Sequence, residues 1–202
     1  MARRRGAAEM DDPLALLADD RKKAREANDP WANLCAFATV NANGEPQVRM
    51  LVLREVEARL ALFINGTSPK HAELQSGTRH AVLIFLASQG VQYRLSVALE
   101  PLPSEIVGRA WLDRPRIPKV MDWLYEHDQP QSSAIPSREH LIRSFAELDA
   151  QLPANVEAPP NALGYYIAVE RLERLELAND RVHSRRRFER NGAQWSTTEL
   201  IP

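Results

Sequence analysis

Cysteine is nearly absent from this chain of 202 residues. Cys35 stands alone, which excludes an internal disulfide framework and any zinc site built from the cysteines of one chain. Glycine is sparse, with 8 residues and no GxGxxG or phosphate-loop spacing, so a nucleotide cradled on a glycine loop is disfavoured. No run approaches the ~20 apolar residues of a transmembrane helix, and no membrane association is expected. The histidines, His71, His80, His127, His140 and His183, form no HxH or HExxH pattern, so no metal site is expected. An excess of one charge is missing too. With 26 basic and 27 acidic residues, anion binding has to come from local clusters rather than from the global field. Arg3, Arg4 and Arg5 open the chain with no apolar stretch behind them, unlike a secretory signal, and the expected location is the cytoplasm.

The rest is the composition of a folded protein, with 44% hydrophobic and 26% charged residues. Residues 1–11 read as a flexible basic tail and residues 12–202 as a single domain. Asp12 and Pro13 open an amphipathic helix that closes near Asn28 to Pro30. Leu34 to Val40, a turn at Asn41 to Gly44 and Gln47 to Arg54 form a hairpin. Arg59 to Asn65 is a third strand, and a short helix starts at Ser68 to Lys70. His80 to Leu86 pairs with Val91 to Glu100. Helices are expected over Pro103 to Leu112, Pro118 to Glu126 and Ser137 to Leu152, then a linker to Pro160. Strands follow at Gly164 to Val169, Leu172 to Leu177 and Arg181 to Arg190, the last turning at Asn191 and Gly192 into Gln194 to Leu200. This order implies an α+β protein with a barrel-like antiparallel sheet and flanking helices, not a doubly wound fold.

Two basic clusters stand out. A regular strand at 181–190 would project Arg181, His183, Arg185 and Arg187 to one side, where three guanidinium groups repel one another unless compensated. That pattern fits a solvated sheet face, an RNA-binding strand, or a phosphate or carboxylate site with His183 as proton donor. Few aromatics accompany it, which disfavours nucleic acid. The second cluster is Arg49, Arg54 and Lys70, with Asn65, Thr67 and Ser68 nearby. Lys70 falls at a helix start, where free N–H groups favour an anion. The odd separation of Arg49 and Arg54 would send them to opposite faces of a regular strand, so one site uses both only by wrapping the strand's edge or through a bulge. Trp111 and Trp123 read as core or interface anchors, and Cys35 as an inert buried thiol.

In order along the chain, Arg49 to Arg54, Phe63 to Lys70, Gln92 to Ser96, Arg114-Pro115, Gln131 to Ser133, the Arg-x-His-x-Arg at 181–185 and the ending Trp195 to Pro202 resemble the pyridoxamine 5'-phosphate oxidase family. The resemblance implies a split β-barrel homodimer that binds FMN at the subunit interface. It implies Arg49 and Lys70 at the FMN phosphate with Ser68 nearby, the backbone of Met50, Leu51, Val52 and Leu53 along the flavin ring, Phe63 and Ile64 in the same cofactor segment, and Gln92 at the ring. It assigns Gln131, Ser132 and Arg185 to the other subunit. Arg54 and Arg114 would hold the substrate's acidic group, and Arg181 and His183 would sit over its reacting part as the catalytic pair. Hydride would pass from a C–H bond beside an amine or alcohol to the flavin, with dioxygen as the family's acceptor.

The chain departs from the family pattern at Pro69, Ala110, Pro118, Leu175 and Ser184. Ala110 and Pro118 stand where the family has hydroxyl donors to the substrate phosphate, each worth roughly 1.5–3 kcal/mol to a charged group. The implied function is therefore an FMN oxidoreductase for a small anionic amine or alcohol. An authentic pyridoxine or pyridoxamine 5'-phosphate oxidase and a non-catalytic flavin-binding protein remain as alternatives.

Overall fold

The Asp12 side chain accepts a hydrogen bond from the Leu14 N–H at 3.0 Å, and Pro13 takes the first turn of α1 (Pro13–Glu26), where its missing N–H has no helical partner to lose. The computed structural model describes residues 12–76 and 79–202, so the tail expected over 1–11 lies outside the described residues. α1 buries Leu17 and Ala24 together with two charged residues, Asp20 and Arg21. Both charges are compensated in place. Arg21 pairs with Glu55 and donates to the carbonyls of Ala32 at 3.3 Å and Leu53 at 3.1 Å. Asp20 accepts from the Tyr93 hydroxyl at 2.5 Å and from Arg174 Nε at 3.0 Å.

After α1 come β1 (Leu34–Val40), β2 (Pro46–Val52), β3 (Arg54–Val56), β4 (Arg59–Asn65), α2 (Pro69–Ser76), β5 (His80–Leu86) and β6 (Val91–Pro101). α3 (Ser104–Leu112), α4 (Arg116–His127) and α5 (Arg138–Gln151) precede β7 (Ala162–Glu176), β8 (Ser184–Asn191) and β9 (Gln194–Leu200). The strands form one antiparallel sheet in the order β2-β1-β5-β6-β7-β4-β3, with the β8–β9 hairpin attached to β7. The sheet curls into a half-barrel beside the helices, which is the expected α+β class. Among the described residues no helix is long and apolar enough to cross a membrane.

Alternation along the strands sorts side chains onto two faces. Phe37, Val82, Leu95 and Leu172 lie in one row across β1, β5, β6 and β7, and with Leu17, Leu53 and Phe188 they form the main core. A smaller cluster of Ala61, Leu102, Val107 and Tyr166 fastens α3 to β4 and β7. The other face of β2 and β5 carries Val48, Met50, Val52, Leu83 and Phe85, all exposed.

Three departures from the sequence reading shape the site. The strand expected over Gln47 to Arg54 breaks at Leu53, whose side chain turns into the core; its N–H bonds to the Asn33 carbonyl and its own carbonyl takes Arg21. The two strands expected at Gly164 to Val169 and Leu172 to Leu177 are one strand, β7. A bulge opposite the Ser96–Val97 step leaves Glu170 unpaired and reverses the alternation there. The strand expected from Arg181 starts only at Ser184. Arg181 has φ +66°, its N–H bonds to the Ala178 carbonyl, and Asp180 accepts from the Val182 N–H, so 178–183 is a closed turn that cannot join the ladder. Arg181 and His183 therefore do not share a strand face with Arg185 and Arg187.

Candidate functional site

A cavity of about 550 Å³ opens where β2 ends and β3 begins, walled by α3, α4 and the start of β7. It brings together Met50, Leu51, Val52, Phe63 and Ile64 of the expected cofactor segment with Arg54, Ala110, Arg114 and Pro118 of the expected acid-binding set. The break at Leu53 makes this possible, since Arg54 follows the turn onto β3 instead of opposing Arg49 across one strand. Among the described residues β2 pairs only with β1, which leaves the main chain of Met50 to Val52 at an edge of the sheet. The Leu53 N–H and carbonyl are bonded to Asn33 and Arg21. Arg114 Nη2 contacts Asp122 Oδ2 at 2.8 Å, and Arg114 Nε is buried without a hydrogen-bond partner among the described residues. Burial pushes the Asp122 carboxyl above its usual range, against the opposing pull of Arg114, Asn65 and Lys70.

A second group gathers at the start of α2. Arg49 shares the inner face with its ladder partner Phe37 and reaches Thr39 Oγ1 at 2.5 Å and Glu73 Oε2 at 2.7 Å. Lys70 Nζ donates to the neutral Gln131 amide oxygen at 3.0 Å. Desolvation, then the Arg49 charge, hold the Lys70 ammonium below its ordinary pKa. Ser68 donates to the Asn65 carbonyl, and Thr67 Oγ1 accepts from the Gln131 N–H at 3.1 Å. The two contacts made by Gln131 correct an expectation. The loop after α4 folds back over α2 in the same chain, so Gln131 reaches Lys70 without a second subunit. Ser132 follows it, exposed, at φ +75°.

The remaining expected residues lie elsewhere in the chain. Gln92 and Arg185 both register with Leu175, on the outer face of the sheet and three or more strands from β2. Arg185 pairs with Glu173 at 2.7 Å. Arg181 and His183 sit in the 178–183 turn, outside the cavity lining. His183 Nδ1 accepts the Ala178 N–H at 3.0 Å, which places the proton of the neutral ring on Nε2. Sequence reasoning missed Asp122, Glu73 and Thr39. Asp122 is buried on α4 although helical spacing sets it on the opposite side from Val120 and Leu124, so the pattern carried no signal for it.

No family model matches the chain. Among curated relatives, it is 31% identical over 193 residues to a pyridoxine/pyridoxamine 5'-phosphate oxidase of Anaeromyxobacter dehalogenans, covering 95% of this chain and 96% of the relative. It is likewise 31% identical over 196 residues to that of Caulobacter vibrioides, covering 95% and 86%. Among solved structures it resembles PhzG from Burkholderia lata in complex with tetrahydrophenazine-1-carboxylic acid, with TM-score 0.84, 28% identity and 98% of both chains covered. A pyridoxamine 5'-phosphate oxidase-related, FMN-binding protein from Nostoc punctiforme superposes with TM-score 0.73 at 18% identity, over 98% of this chain and 100% of that one.

Proposed function

The chain belongs to the pyridoxine/pyridoxamine 5'-phosphate oxidase family, and from that premise we propose that it is a homodimeric FMN oxidoreductase for a small amine or alcohol carrying a carboxylate rather than a phosphate ester. One observation carries the reading: the β2 edge and the pair Arg54 and Arg114 border the same cavity, and Ala110 and Pro118 stand there in place of hydroxyl donors.

The donor set at α2 suits the FMN phosphate. Lys70 is a half-buried ammonium whose hydrogen bond goes to a neutral amide, with Arg49 beside it and the first N–H groups of α2 nearby. The sheet edge at Met50 to Val52 offers main-chain donors and acceptors to a planar heterocycle. The chemistry FMN supplies when bound is acceptance of two electrons from a C–H bond beside an amine or alcohol. Arg54 and Arg114 would fix the substrate's acid group. His183, with its proton on Nε2, and Arg181 would donate to the substrate's polar atoms from the partner chain, because in their own chain they lie outside the cavity. Gln92 and Arg185 would also come from the partner. The exposed apolar face of β2 and β5, continuous with the strands that bear them, is the surface on which a second copy would sit.

Ala110 and Pro118 cannot donate hydrogen bonds, and proline removes a backbone N–H as well. The complex of PhzG with a carboxylic acid supports an acid of that type. The test is FMN titration of the purified protein, followed by aerobic peroxide production from pyridoxine and pyridoxamine 5'-phosphates. The expected result is bound flavin with vitamer kcat/KM below ~10² M⁻¹s⁻¹, two decades under the ~10⁴ floor of efficient enzymes. Efficient vitamer turnover would make it an authentic vitamer oxidase. Bound flavin with no turnover of any acid-bearing amine or alcohol would make it a flavin-binding protein.

A further inference from the structure

The cavity's charge balance is unusual for a phosphate receptor. Two arginines line it, Arg54 and Arg114, against three carboxylates, Glu55, Asp113 and Asp122. Glu55 is held by Arg21 and Arg25, and Asp113 is exposed to solvent, where water screens it. Asp122 differs. It is only 6% exposed and sits 2.8 Å from Arg114. The other groups that act on it are Asn65 and Lys70, which favour its ionised form, and Glu126, which opposes it. Asp122 thus interacts with both Lys70 of α2 and the acid-binding Arg114, and Arg54 at the rim is left as the cation facing an incoming acid.

We propose that Asp122 is a specificity-determining residue: by neutralising Arg114 it makes the cavity prefer a singly charged acid group over a doubly charged phosphate ester. The inference rests on reading this cavity as the substrate site. It differs from the loss of hydroxyl donors at 110 and 118, because it concerns charge number and not hydrogen-bond count. Coulomb energy is proportional to the ligand's charge, so removing the Asp122 charge favours a dianion about twice as much, in free energy, as a monoanion.

The experiment is calorimetric binding of benzoate and phenyl phosphate to FMN-saturated protein at pH 8, where the phosphate ester carries close to two charges. Asp122→Asn is expected to tighten benzoate about threefold and phenyl phosphate about tenfold. Arg114→Gln, which leaves Asp122 unpaired, is expected to weaken both, phenyl phosphate by the larger factor. The unaltered protein supplies a measurement independent of folding of the variants. Its phenyl phosphate affinity relative to benzoate should rise at least threefold between pH 8 and pH 5, as the ester loses a charge. A ratio that stays constant across both variants, or across pH in the unaltered protein, overturns the proposal. Flavin absorbance in the same samples separates the two readings. Protein that never takes up FMN overturns the oxidoreductase reading, while the ratio of the two ligands still decides the role of Asp122.

Discussion

Lys70 and Arg49 face one another across the start of α2, and their energetics are not symmetrical. Arg49 is matched by Glu73, whereas Lys70 is hydrogen-bonded to an uncharged amide. Lys70→Ala should cost at least ~1.5 kcal/mol of FMN affinity, about tenfold, read by quenching of flavin fluorescence. Arg49→Ala should cost more, because it removes a phosphate donor together with the 2.7 Å ion pair to Glu73. Native affinity in both variants would sink the phosphate assignment. The pH dependence has a definite sign. The ammonium's pKa is lowered in the free protein, and a bound anion raises it again, so binding takes up protons. FMN affinity should be greatest below that lowered pKa and fall as pH rises through it, and the fall should vanish in Lys70→Arg. The basic residues of the site were legible in the sequence because a cation at a helix start or beside a strand has few structural uses. Asp122 and Glu73 were not, since a carboxylate on a helix looks solvated until packing decides which side is inward.

Leu53 is the hinge between the cofactor strand and the acid-binding arginine, and α1 holds it. Arg21 on α1 takes the Leu53 carbonyl, while Asp20, one residue earlier, anchors to Tyr93 and Arg174 across β6 and β7. Burial is the main reason the Tyr93 hydroxyl's pKa is raised, and the adjacent Asp20 carboxylate adds to it. Arg174→Met should destabilise the protein by about 3–5 kcal/mol, since it strands the Asp20 carboxylate in the interior, while Tyr93→Phe should cost roughly 1–3 kcal/mol. Urea unfolding followed by tryptophan fluorescence measures both, and equal small losses would contradict the buried-charge argument. Most strands were readable at the residue level: the bounds of β1, β4, β5 and β9 are those the hydrophobic pattern gave. The misreadings fall where period-two alternation is interrupted by backbone contacts made outside the ladder. The Leu53 break depends on Asn33 and Arg21, the bulge at Glu170 on β6, and the late start of β8 on the His183 and Asp180 contacts with the backbone. The first two partners lie far along the chain, whereas the turn at 178–183 is local and escapes an alternation argument because that argument scans side-chain period and not turn closure.

At the scale of the whole molecule, one chain does not bring the expected set together: Gln92, Arg181, His183 and Arg185 lie at the other end of β7 from Ala162 and Leu163, which line the cavity. A dimer built on the Val48, Met50, Leu83 and Phe85 face would bury that apolar surface and supply the set to a neighbour. Light scattering should give twice the 22.8 kDa chain mass, and Leu83→Arg, outside the cavity, should yield monomers with FMN affinity reduced at least tenfold. A monomer with unaltered flavin affinity would refute the shared site. β7 adds one further consequence. Its first residues pair with β4, its last with β8, and β6 runs along nearly the whole length, so the β8–β9 hairpin hangs from the sheet by a single ladder. Phe188 anchors that hairpin in the main core, so the ladder cannot open without drawing a buried aromatic ring into water. Because the hairpin also carries Arg185, loosening that anchor in one subunit of the proposed dimer, as in Phe188→Ala, would speed the escape of cofactor from its neighbour.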